Sequence, residues 1–146
     1  MCSSVNRLDG GWLKIKIPIL SDKATVQGFL EQLREILADA DFTIEKNLII
    51  IKSRKEEIEF STPYTMLDLE YDADDIVACL RELQLQEYSE TLLDRDDDKP
   101  PLLFVFGKNI NNRLVYIKLK IKGEATKTIL CLSFHYAKYN MNFPYA

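Results

Sequence analysis

The sequence predicts an α+β fold, an antiparallel β-sheet with helices packed on one face, from three observations. Apolar stripes at helical spacing occupy the first half, notably residues 22–40 and 72–85. A wholly apolar run follows at 102–106 (LLFVF), and strict two-residue alternation then fills 114–121 and 127–135 around the turn Gly123-Glu124-Ala125-Thr126. Helices first and a three-stranded meander afterwards leave one sheet face to the helices and the other to solvent or a ligand.

Residues 1–10 show no periodicity, whereas 12–19 alternate Leu13, Ile15, Ile17 and Ile19 with Lys14 and Lys16. A strand is expected there, with Pro18 marking an edge or an end. The first 23 residues are therefore taken as an extension with a possible edge strand, and 24–146 as one domain. Ser21 or Asp22 caps a helix to about Ala40, whose stripe is Val26, Phe29, Leu30, Leu33, Ile36 and Leu37. Residues 48–51 (LIII) form a strand after a turn near Asn47, and the charged run 53–59 (SRKEEIE) reads as a solvated loop or strand edge. Thr62-Pro63 opens a short helix to Leu69, with Pro at its first position. Asp72 caps another to about Leu85, burying Ile76, Val77, Leu80 and Leu83 with Cys79 alongside. Residues 87–98 (EYSETLLDRDDD) turn polar before Pro100-Pro101 and read as a flexible loop rather than a metal site. The apolar strand 102–106 is central, and 107–112 (GKNINN) is a loop of turn formers.

Composition is that of a soluble globular chain, 47% hydrophobic and 29% charged over 146 residues. Cys2, Cys79 and Cys131 have no metal-ligand spacing and are expected to be reduced thiols in a cytoplasmic protein. No run approaches membrane-spanning length, and the N-terminus lacks the apolar core of a signal peptide. The net charge of −4 argues against a general nucleic-acid binder, but it is unevenly placed. From Lys108 onward seven Lys/Arg stand against Glu124 alone, while the preceding residues carry 12 Lys/Arg and 22 Asp/Glu. A basic end on an acidic body suggests an anionic ligand at one face; the plain alternative is that lysines keep an edge strand soluble.

The closing hairpin, 113–139, holds His135, the single histidine. Val115, Ile117, Leu119 and Ile121 form its core row in the first strand, and Leu130, Leu132 and Phe134 in the second. A four-residue loop pairs Lys122 with Lys127, Lys120 with Ile129, Lys118 with Cys131 and Tyr116 with Ser133, which leaves His135 diagonal to Tyr116. Tyr116, Lys118, Lys120, Ser133 and His135 then share one face. No P-loop, dinucleotide fingerprint, nucleophile elbow or zinc signature is present. The set suits metal-free RNA cleavage, which needs a proton-transfer group and cations for the charged transition state. His135 is the acid or base, Lys118 and Lys138 hold phosphate, and Tyr116 orients the substrate. Lys120, Lys138, Tyr136, Tyr139 and Arg95 are the expected RNA contacts, the tyrosines as stacking surfaces. No metal or other cofactor is expected. A lone histidine at a strand end is often only structural; its company on this hairpin gives it a functional reading.

The segments 103–107 (LFVFG), 115–119 (VYIKL) and 132–135 (LSFH), with a weaker match at 85–89, resemble the MqsR-type toxins of the RelE-like toxin–antitoxin superfamily. The resemblance covers residues 24–146. It implies a RelE-like α+β fold and a metal-independent mRNA endoribonuclease (mRNA interferase). Its implied partner is a cognate antitoxin with zinc-binding and helix-turn-helix modules. The family's functional tyrosine falls on Tyr116, and a family lysine falls on His135, which retains proton-transfer chemistry. Two positions depart: Ser89 stands where the family has lysine, and Val105 where it has glutamine. His135, Lys138 and Arg95 would have to compensate. The rival readings are a non-catalytic module binding protein or nucleic acid through the basic hairpin, and a regulatory domain whose hairpin is purely structural.

Overall fold

A computed structural model describes residues 16–53, 56–94 and 102–146. Six strands form one sheet: β1 (Lys16–Ile19), β2 (Leu48–Ile50), β3 (Tyr88–Asp94), β4 (Leu103–Ile110), β5 (Arg113–Lys122) and β6 (Thr128–Tyr136). Their spatial order is β1-β3-β4-β5-β6-β2, and all neighbours are antiparallel except β2 beside β6. The fold class is thus α+β, with a meander of four strands rather than three.

Helix α1 (Lys23–Ala38) begins where the Asp22 carboxylate accepts from Thr25 N–H, and buries Val26, Phe29, Leu30, Leu33 and Leu37. Phe29 stacks on Phe104 of β4 with ring centroids 4.1 Å apart. A ring buried in this way contributes roughly 1.5–3 kcal/mol. A single turn, α2 (Ile44–Asn47), stands where only a bend near Asn47 was expected, and the buried Asn47 amide ties it to the carbonyl of Lys127. Helix α3 (Thr62–Leu69) has Pro63 in its first turn and Ser61 as cap. Helix α4 (Ala73–Arg81) opens with a reciprocal Asp72–Asp75 capping box and stops short of Leu85. Gln84 and Glu87 form a second capping pair there, which turns the chain into β3, yet Leu83 remains fully buried.

The buried residues of α1, α3 and α4 join one core with Phe104, Phe106, Val115, Ile117, Leu119 and Phe134. The opposite face carries a smaller cluster, Leu92, Leu103 and Val105 against Tyr116, Leu132 and Met141. Helix α3 also closes the sheet. β2 covers only three residues of β6, and beyond it the hydroxyls of Thr62 and Thr65 accept from the N–H groups of Phe134 and Tyr136, both at 3.0 Å. Groups that would otherwise be an open edge are thereby satisfied.

Two segments read as loops are strand. Residues 88–94 form β3, because Tyr88 and Thr91 are fully buried and their hydroxyls bond each other at 2.7 Å and meet Ser21. Polar side chains with internal partners hid an inner strand. Likewise β4 runs on to Ile110, and the turn is only Asn111-Asn112, at φ 52° and 66°. Positive φ at both positions is what a tight hairpin matching strand twist requires. The expected edge strand is β1, with Pro18 on it; residues 12–15 lie outside the described residues, as do Cys2, Arg95 and the acidic residues 96–98.

Candidate active site

The closing hairpin presents its polar row by a different register from the one expected. Tyr116 faces His135 directly and Lys118 faces Ser133, whereas Leu119 faces Cys131 and Lys120 faces Leu130. Between these two sets β6 has one residue more than β5, at Leu132, and the bulge reverses its inward and outward parity. Ile129 and Cys131 therefore point to the helix-side core together with Phe134, while Leu132 joins the opposite cluster. The expected core row of Leu130, Leu132 and Phe134 is corrected accordingly. The turn, 123–127, is five residues long, and Gly123 sits at φ +101°, where a Cβ would meet the Thr126 carbonyl. The longer loop and the bulge each shift the register by one residue, and the two-residue total keeps His135 on the face of Tyr116 and brings it directly opposite.

Direct pairing stacks the two rings, with centroids 5.1 Å apart and planes 13° from parallel. The next row of the sheet reads Glu90, Val105, Lys118, Ser133 across β3, β4, β5 and β6. Above these rows opens a cleft of about 710 Å³, floored by Glu90, Tyr116, Lys118, Ser133 and His135. Its walls are formed by Glu56, Glu57 and Phe60 together with the C-terminal segment 137–142.

Two floor groups have a defined chemical state or anchor. The His135 Nδ1 lies 2.9 Å from the carbonyl of Tyr136. A carbonyl only accepts, so Nδ1 donates and the lone pair of the neutral ring falls on Nε2. Burial pushes the Tyr116 phenol up to about 12, and the negative charge of Glu90 adds to the shift. Tyr116 is thus a hydrogen-bond donor near neutrality, not a base. At the wall Lys138 forms an ion pair with Glu57, which raises its pKa, and its ammonium sits 5.4 Å over the Tyr139 ring. Tyr139 is 74% exposed at the rim.

Of the residues expected at the site, His135, Tyr116, Lys118, Lys138 and Tyr139 come together. Tyr136 does not: it faces the helices, is 2% exposed, donates its hydroxyl to Asp68 at 2.5 Å and lies under Arg113. Lys120 faces Leu130, is 5% exposed and does not line the cleft. Arg95 lies outside the described residues. Glu90 and Glu57 were not anticipated. Glu90 was hidden by the reading of its strand as loop; the signal available was that the wholly apolar run 102–106 needs a paired neighbour on each side. Ser89 lines the cleft, and Val105 is buried in the floor beside Lys118.

No protein-family model, curated protein or solved structure matches the chain.

Among the described residues no group of three or more His, Cys, Asp or Glu side chains is placed to hold a metal ion, and no helix is long and apolar enough to cross a membrane. The floor combines an imidazole, a carboxylate, a protonated phenol, an ammonium and a hydroxyl. It can move protons and can hold an anion between Lys118 and Tyr116.

Proposed function

We propose that the chain is a metal-independent endoribonuclease, and the observation that carries this reading is the His135–Tyr116 stack beside Lys118 in one cleft. In the reaction the ribose 2′-oxygen attacks the adjacent phosphorus and the bond to the 5′-oxygen breaks, leaving a cyclic phosphate and a new hydroxyl. One group takes the 2′ proton and another gives a proton to the leaving oxygen. Glu90 and His135 stand on β3 and β6, three strand spacings apart and two residues out of row, roughly 16 Å at the backbone. Lys118 and the Tyr116 hydroxyl, between them, stabilise the charge that develops on the phosphate. On this reading the protein is the toxin of a type II toxin–antitoxin pair, RelE-like in fold and MqsR-like in type. It acts on mRNA in the cytoplasm and is neutralised by an antitoxin with zinc-binding and helix-turn-helix modules.

A second reading, a non-catalytic module binding protein or nucleic acid, is favoured by the glutamates Glu56, Glu57 and Glu90 in the lining, which repel phosphate. Incubating pure protein with RNA in EDTA separates the two. Cleavage is expected, falling about 10²–10⁴-fold in His135→Ala, the usual worth of a positioned proton-transfer group, with unchanged thermal unfolding. Binding without cleavage favours the module.

A further inference from the structure

A second opening of about 480 Å³ adjoins the cleft, lined by Pro18, Ile19, Leu20, Phe143 and Pro144. Both linings contain Ser89, Glu90 and Asn142. What separates the two openings is therefore the C-terminal segment as it crosses the face of β3 at Asn142.

That segment is held by side chains. Ala137 N–H bonds the carbonyl of Leu114, and after it the one backbone bond among the described residues is internal, from Ala146 N–H to the Phe143 carbonyl. Side-chain contacts pin its end, among them the Lys23 ammonium 5.7 Å over the Tyr145 ring. The Phe143 ring fills the space above Gly107, where a Cβ would come within 2.7 Å of it. The Tyr145 ring stacks on Tyr88, with centroids 5.8 Å apart and planes at 15°. The Tyr145 hydroxyl donates to the Ser21 carbonyl at 2.6 Å. A segment with no ladder bonds to the sheet can leave without breaking secondary structure.

We propose that residues 141–146 are a strap lying along the path of an extended single strand of RNA. Lifting it joins the two openings into one groove, from His135 past Glu90 to Ile19 and Leu20. The inference rests on the ribonuclease reading of the cleft. Of the strap's two aromatic rings, Phe143 lies over Gly107 of β4 where a base would stack, and Tyr145 packs on Tyr88 in the helix-side core as its anchor. Beyond Glu90 the groove offers Ile19 and Leu20, 42% and 63% exposed, as apolar contacts for a base. With the strap down, a dinucleotide still fits the cleft but a longer strand does not. Apparent affinity for the longer strand is then reduced by the fraction of molecules that are open.

The test compares the full-length protein with Gly107→Ala, which drives a methyl group into the Phe143 ring, and with Tyr145→Ala, which removes both the stacking and the Ser21 bond. The probe is a fluorescein-labelled 2′-O-methyl RNA octamer, which binds but cannot be cleaved, with a 2′-O-methyl dinucleotide alongside. Both variants are expected to bind the octamer about tenfold more tightly if the open form is ~10% populated in the parent, and the dinucleotide equally. Hydrogen exchange over 137–146 should quicken in both. Unchanged octamer affinity in both variants overturns the strap, whatever the exchange shows. If RNA is cleaved by the parent and affinity does not rise, the strap alone fails. If no variant binds or cleaves RNA, the ribonuclease reading fails and the strap falls with it.

Discussion

At the scale of the residue, Tyr116 carries the most specific chemistry. Its ring is fixed against His135 and its hydroxyl stays protonated, because burial and Glu90 both disfavour the phenolate. Tyr116→Phe keeps the stack and removes the donor. It is expected to lower the rate of RNA cleavage roughly tenfold or more while substrate affinity changes little, as for a hydrogen bond formed to developing charge. Equal rates would leave the phenol a packing group. The same ionisation bears on stability. Below the ordinary phenol value of 10.0 the phenols of both folded and unfolded chains are protonated and their full contribution to stability is present. As pH rises, the unfolded phenols ionise first, while Tyr116 and Tyr136 resist until about 12; the buried thiol of Cys131, raised from 9.0, begins the same loss about one pH unit lower. Stability therefore falls between pH 10.0 and about 12, the sign set by the larger proton occupancy of the folded state there. Urea midpoints across that window check it, and Tyr116→Phe should flatten the fall. The residue pattern exposed this part of the site well, since alternation put Tyr116, Lys118 and His135 on one face. It misjudged Tyr136, which shares the phase of Phe134 and so faces the helices, and Lys120, which is on the Lys118 face of β5 but is buried outside the cleft. The bulge at Leu132 instead reversed the parity of Ile129 to Cys131, and it leaves no signature in the composition.

At the scale of the element, the sheet's unusual feature is an edge closed by side chains. The α3 hydroxyls of Thr62 and Thr65 take the place of a strand beyond β2. Thr65→Val keeps the shape but leaves the buried N–H of Tyr136 without its acceptor, at an expected cost of about 1–3 kcal/mol, read as a drop in urea midpoint. Cleavage should fall with it, because Tyr136 adjoins His135 and its carbonyl holds the His135 Nδ1. No loss of stability would mean that water supplies the bond. Helices were legible wherever a cap met an apolar stripe, as at Asp22 and Asp72. β3 was not, because Tyr88, Thr91 and Ser21 satisfy one another internally and so read as a polar loop. The continuation of β4 through 107–110 was masked by turn-forming residues, when only Asn111 and Asn112 make the turn.

At the scale of the whole molecule, the basic C-terminal end does not fold into a basic face. Lys108 pairs with Glu87 beside the helices, Arg113 covers Tyr136 on that same side, and the Lys127 ammonium donates to the carbonyl of Gly123 in the turn. Lys120 is buried. Lys118 and Lys138 alone of the seven line the cleft, together with Glu56, Glu57 and Glu90. A linear count of charge carries no information on which side of a strand a lysine lies, so the asymmetry seen in the sequence dissolves in three dimensions. The consequence is measurable. Binding of single-stranded RNA releases counterions in proportion to the phosphates neutralised, with a log–log slope near −0.7 per contact, so two lysines give a slope of about −1.4. A 2′-O-methyl octamer titrated over a range of salt concentrations should show this shallow dependence, and Lys118→Met should roughly halve it. A slope steeper than about −4 would require more phosphate contacts than the cleft supplies, and would place RNA on another surface of the molecule.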